Sequence, residues 1–163
     1  MDWNGNYGVS LQSIMPENDF QFDTIVLRIK HTGGDDYGTT LKLSVFSNNA
    51  TNNQPNFNNL IVSTSLVGFL NNSEDQDLAF YFANSVLINA GIKYWLALEV
   101  ESYSYGGYYV LIGNSWVNAI AENNPYNLGE AGKTTIRNSS YNENVSINSA
   151  ADWYMRIGMT KDE

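Results

Sequence analysis

Apolar residues recur at every second position in short runs, and clusters of Gly, Asn and Asp separate those runs. Ile25, Leu27 and Ile29 form one such set, Leu41, Leu43 and Val45 a second, Tyr94, Leu96, Leu98 and Val100 a third, and Trp153, Met155, Ile157 and Met159 a fourth. A period of two sends alternate side chains to opposite faces of a strand, whereas an amphipathic helix needs spacings of three and four. No convincing helical stripe interrupts the pattern, so the chain is confined to antiparallel sheets that bury one face and wet the other. Twenty-three asparagines, thirteen glycines and eleven tyrosines, with few Lys, Glu or Ala, favour strands joined by polar turns.

The runs predict strands over 9–14, 20–31, 40–47, 60–69, 78–82, 93–102, 108–113, 134–137, 144–147 and 152–159. The expectation is an all-β antiparallel sandwich of eight or more strands with almost no helix. Its core should include Phe22, Leu27, Leu43, Val45, Phe80, Phe82, Leu96, Leu98, Leu111 and Ile157. Two polar stretches, HTGGDDYG (31–38) and NNATNNQPNFNN (48–59), read as loops, the second long enough to project from the fold. No repeat, linker or composition break divides the chain, so residues 1–163 read as one domain. A chain of 163 residues buries roughly 68–70% of its unfolded surface and needs no cross-link.

The chain has no cysteine, which removes disulfides, thiol nucleophiles and Cys-based zinc sites and leaves the redox compartment unread. Seventeen acidic against eight basic side chains give a net charge of −9. That charge repels phosphate backbones, and no Lys/Arg cluster offsets it locally, so nucleic acid is not an expected partner. The apolar runs fall far short of the ~18 residues that span a bilayer. The opening MDWNGNYG has neither the basic nor the apolar region of a secretory signal.

Catalytic constellations are missing from the pattern. A Ser-His-Asp arrangement needs a histidine base, and the only histidine, His31, ends a strand before Gly33-Gly34. HExxH, GxSxG and Gly-rich phosphate motifs are absent. Glu99 and Glu101 share one strand face but project in parallel, whereas glycosidases set their carboxyls across a bound sugar; an exposed strand face is the expectation for both. Asp35, Asp36, Glu74, Asp75 and Asp77 read as loop residues whose hard oxygens suit calcium, although their spacing matches no EF-hand. Solubilising turn charge is the alternative for the same five. Asn49, Asn71, Asn138 and Asn144 begin Asn-x-Ser/Thr sequons, which mark polar exposed segments.

The run ESYSYGGYYV (101–110) sets four tyrosines around a Gly-Gly pair. A two-residue turn at Gly106-Gly107 would pair Tyr105 with Tyr108 and Tyr103 with Val110. Alternation then sends Tyr94, Leu96, Leu98, Val100, Tyr109 and Leu111 to the core. Trp95, Glu99, Glu101, Tyr103, Tyr105 and Tyr108 go to a wetter face. Trp95, Tyr103, Tyr105 and Tyr108, with Phe57 of the Asn-rich stretch, are the candidate ligand or partner contacts. Such rings offer large area with a polar handle. Cross-strand pairing that only stiffens the hairpin is the alternative for the tyrosines.

The order Phe20-Gln-Phe22, LKLSVFS, Pro55 with LIVSTS, FYFANSVLINAGIKYWLALEV and DWYMRIGM resembles a jelly-roll module of phage and other virion proteins and of bacterial surface and glycan-active proteins. Its most recognisable part is Leu87-x-x-Ala90-Gly91-x-x-Tyr94-Trp95-Leu96. The likeness spans Leu11 to Met159, and residues 114–150, rich in Asn, depart from it. These are packing and turn motifs, so they speak to fold more than to function. The resemblance implies a non-enzymatic virion surface protein, a capsid decoration or fibre component whose partners are capsid proteins or its own copies in a homo-oligomer. The alternative is a carbohydrate-binding module of a secreted or cell-surface glycan-active protein, with the tyrosine face as a sugar platform.

Overall fold

The structure is a computed structural model, and it describes residues 7–32, 36–70, 75–102, 108–111, 113–114, 130–137, 140–148, 152–153 and 155–159. Among these residues every regular element is a strand, and every strand pairing is antiparallel. In chain order they are β1 (Tyr7–Ile14), β2 (Phe20–Thr32), β3 (Asp36–Asn49), β4 (Gln54–Leu70), β5 (Asp75–Ile88), β6 (Tyr94–Ser102), β7 (Tyr108–Leu111), β8 (Gly113–Asn114), β9 (Ala131–Arg137), β10 (Ser140–Tyr141), β11 (Ser146–Asn148), β12 (Asp152–Trp153) and β13 (Met155–Gly158). No helix among the described residues is long and apolar enough to cross a membrane.

The large sheet runs β10-β9-β1-β6-β3-β4, with β11 also pairing with β9. The small sheet runs β13-β2-β5, and β7 pairs with β2 beyond the end of β13. A short β8-β12 ladder stands apart from both. The two sheets close on one core in a sandwich-like arrangement. Leu41, Leu43 and Val45 of β3 and Leu96 and Leu98 of β6 meet Phe22, Ile25, Leu27 and Ile29 of β2 and Phe80 and Phe82 of β5. Each such side chain, once fully buried, contributes about 1.5–3 kcal/mol relative to exposure. Phe22 and Phe82 make an edge-to-face pair at 5.5 Å. A register shift in the β2-β5 ladder, where Asp23 faces the stretch between Tyr81 and Val86, lets both rings turn inward.

Of the ten residues expected in this core, eight are buried, and Ile157 packs against it half-buried. The side chain of Leu111 lies outside the described residues. Polar groups tie the layers together as well. Buried Gln12 of β1 accepts a hydrogen bond from the backbone amide of Trp153 at 2.8 Å. The β5-β6 crossover turns at Gly91, whose φ of +71° is a left-handed conformation that costs a side chain but not glycine. Its amide donates to Pro16 O at 2.8 Å, and the Ala90 amide donates to Asp19 Oδ1 at 2.7 Å.

Several expectations need correcting. β6 is paired on both sides, by β1 and β3, while β7 pairs with β2, Tyr108 opposite Thr32 and Val110 opposite Lys30. Among the described residues β6 and β7 therefore belong to different sheets, while the pairings expected across Gly106-Gly107 involve Tyr103 and Tyr105, which lie outside the described residues. The Asn-rich stretch is no projecting loop either. β3 continues to Asn49 and β4 starts at Gln54, leaving a four-residue turn closed by the Asn53 amide on Asn49 O at 2.8 Å, with Asn53 at φ 57°. Asp36, Asp75 and Asp77 lie in strands, not loops.

Candidate functional site

β6 buries both of its faces from Tyr94 to Glu99. Its outer side belongs to a second apolar cluster on the back of the large sheet: Val9, Leu11, Phe46, Trp95 and Ala97, roofed by Phe57, Ile136, Tyr141 and Val145. The roof comes from three places. The first residues of β4 bring Phe57, β9 brings Ile136, and β10 with the bulge that follows it brings Tyr141 and Val145. Thr134 Oγ1 holds that bulge by donating to Asn142 O at 2.6 Å. Phe57 and Tyr141 stack face to face at 4.5 Å and 9°, and each meets Phe46 edge-on at 5.3 Å and 5.4 Å.

Trp95 and Glu99, expected on a wetter face, are both buried beneath this roof. Trp95 donates its indole N–H to Asn48 Oδ1 at 2.8 Å and lies under the Lys93 ammonium, 5.2 Å from the ring centre. Lys93 is in turn paired with Glu130 and donates to Asn53 Oδ1 at 3.2 Å. These bonds fix the β3-β4 turn against the sheet. Trp95 is thus a pillar beneath the surface, out of reach of a ligand.

Glu99 is 5% exposed, with Lys42 Nζ 3.7 Å from its carboxylate. Burial pushes its carboxyl above the ordinary glutamate value, and the Lys42 charge offsets this only in part. Burial, and then the Glu99 charge, raise the Tyr141 hydroxyl as well. Tyr141 faces both Glu99 and Ser44, yet Glu99 Oε2 and Ser44 Oγ find no hydrogen-bond partner of good geometry among the described residues.

Between the β3-β4 turn and the β10 bulge lies a cleft of about 410 Å³. Its lining is Asn49, Asn52, Gln54, Asn56 and Asn58, with Pro55, Phe57, Ser140, Tyr141 and Glu143. Three of these asparagines are held in one orientation. Asn49 Oδ1 accepts from the Thr51 amide at 3.0 Å, Asn52 Oδ1 from Gln54 at 3.2 Å and Asn56 Oδ1 from Asn58 at 3.2 Å. An N–H donor two residues on requires the oxygen on that side, so each Nδ2 turns the other way. Among the described residues nothing accepts from those three Nδ2 groups. Among the described residues the cleft therefore offers preset amide donors, hydroxyls, one carboxylate and a ring stack, and no cation.

Of the sequence-selected contacts, Phe57 lines this cleft. Tyr103 and Tyr105 lie outside the described residues, as does the side chain of Tyr108. Asp35 and Glu74 of the calcium set also lie outside them. Asp77 is bound to Arg28 at 2.8 Å and lies 3.6 Å from Arg156. The Arg28 hydrogen bond holds its carboxyl below the ordinary aspartate value. No described group of three or more acidic or histidine side chains is arranged to hold a metal ion. Sequence reasoning missed Tyr141 and Glu143, which sit in the Asn-rich segment that carried no readable pattern. The cleft asparagines were hidden by their composition, which reads as loop. No protein-family model, curated protein or solved structure matches this chain.

Proposed function

We propose that the protein is a non-catalytic binding module, a jelly-roll sandwich whose outer-face cleft takes up a neutral glycan. The observation that carries this reading is the lining of preset Asn Nδ2 donors beside Tyr141, Phe57 and Glu143. A sugar hydroxyl both donates and accepts, so amide donors on one wall and a carboxylate acceptor on the other match it, while Phe57 and Tyr141 add apolar contact area beside them. A net charge of −9 and a carboxylate in the lining disfavour anions. Preset side chains also reduce the ordering cost that weakens polar recognition.

A neutral glycan array, read with and without calcium, should show saturable binding. Asn56→Ala and Glu143→Gln should each weaken it about tenfold, the loss of one good hydrogen bond to a ligand. Binding to none of the uncharged glycans, or binding indifferent to both substitutions, overturns the reading.

The second reading is a virion surface protein, a capsid decoration or fibre component that works through protein contacts. The charge-free β4 strand with exposed Leu60, Ile61 and Val67 favours it. Mass spectrometry of purified particles tests it, since absence from every virion removes the idea.

A further inference from the structure

β4 closes the large sheet: β3 pairs along one side of it, and no described strand pairs along the other. Open edges are ordinarily blocked by lysines, prolines or bulges. The first part of β4 has such protection, with Pro55 and register shifts opposite Phe46. From Val62 to Val67 the ladder with β3 is regular, and the whole strand Gln54–Leu70 contains no charged residue in a chain of net charge −9.

The open stretch has a symmetry of its own. Residues 61–67 read Ile-Val-Ser-Thr-Ser-Leu-Val, so that about Thr64 hydroxyl mirrors hydroxyl and aliphatic mirrors aliphatic. Ile61 and Val67 at its ends are 37% and 66% exposed. On the inner side, Thr64 Oγ1 donates to Tyr81 O of β5 at 2.7 Å, which occupies the carbonyl on the neighbouring edge of the small sheet.

We propose that β4 pairs antiparallel with β4 of a second copy about a two-fold axis at Thr64, joining two large sheets into one. An axis normal to the sheet keeps each pair on one face, setting Ser63 opposite Ser65 of the second copy, Val62 opposite Leu66 and Ile61 opposite Val67. Matched cross-strand pairs of this kind stabilise a ladder, and a two-fold contact satisfies both edges at once. The second copy is favoured over a foreign strand because the register is self-complementary. Two acidic bodies also meet there along a strand without charge. Glu101, which accepts from Ser65 Oγ at 2.6 Å, lies two strands in from the edge.

Analytical ultracentrifugation of the full chain from micromolar to millimolar concentration should show a species of twice the 18.2 kDa chain mass. Val67→Lys should raise the dimer dissociation constant at least tenfold, with the thermal midpoint unchanged at concentrations where the parent is monomeric. Because the chain has no cysteine, register is testable: a Ser63→Cys, Ser65→Cys double variant should oxidise to a linked dimer faster than Ser63→Cys alone. A monomer across the whole range, a dimer that survives Val67→Lys, or cross-linking no faster in the double variant each overturns the proposal. Residues 61–67 are not in the cleft lining, so Val67→Lys tests the dimer without altering a sugar contact.

Discussion

Glu99 sits where a carboxylate is costly, buried beside one lysine 3.7 Å away. Its folded-state value lies above the ordinary one, so the folded chain holds a proton that the unfolded chain has released across the pH window just above the glutamate value. Its effect on stability is therefore most favourable below that window and becomes less so as pH rises through it. Glu99→Gln keeps the shape and removes the charge, leaving Lys42 in contact with solvent. Thermal denaturation at about pH 8 should find the variant more stable than the parent, with the gap closing as the pH falls to about 4. Asp77 has the opposite sign: its carboxylate is favoured in the fold by Arg28, and that contribution is present above the ordinary aspartate value and lost on acidification through its lowered one. Roughly a third of its side chain is exposed, so solvent screening keeps that term small.

At the scale of elements, the β5-β6 crossover depends on a single backbone conformation. A Cβ added at Gly91 would meet nothing within 4 Å, so the cost of a side chain there is conformational only. Gly91→Ala should lose about 1–2 kcal/mol in chemical denaturation and Gly91→Asn less, because asparagine tolerates the left-handed region better. That turn was legible in the sequence, in Ala90-Gly91 ahead of Tyr94-Trp95-Leu96, as were the inward faces of β2, β3 and β6. The outer cluster was not. Alternation treats Trp95 and Glu99 as wet because it assumes one solvated face, yet the apolar Trp95 and Ala97 between core residues already made a continuous run of a strand covered on both sides. Residues 48–59 misled for a different reason. Asparagine is a turn former by propensity, but Asn48 and Asn49 pair in the β3-β4 ladder, and Asn56, Asn58 and Asn59 fall in the register shift between Pro55 and Leu60, where Phe57 packs on Phe46. Gly-Gly in the tyrosine run is a local turn signal and says nothing of β2, the described partner of β7 and a strand distant in the chain.

Across the whole molecule, two apolar clusters share β6, and they should answer differently to truncation. Leu98 belongs to the inner core, and Leu98→Ala should cost about 2–5 kcal/mol of global stability in denaturant unfolding. Phe57 belongs to the outer roof, and Phe57→Ala should speed amide exchange around Tyr141 while leaving β2 exchanging at its parental rate. The place of β1 adds a constraint of time. Val9 finds its neighbours in Glu99 on one side and Thr134 on the other, so β1 is flanked only by strands made long after it. The β3-β4 ladder can close as soon as its own turn is made, but β1 must wait with both edges bare until β6 and then β9 emerge. Synthesis therefore passes through a period in which the nascent chain carries a strand with unpaired edges, and this period ends only once β9, more than a hundred residues downstream, has been made.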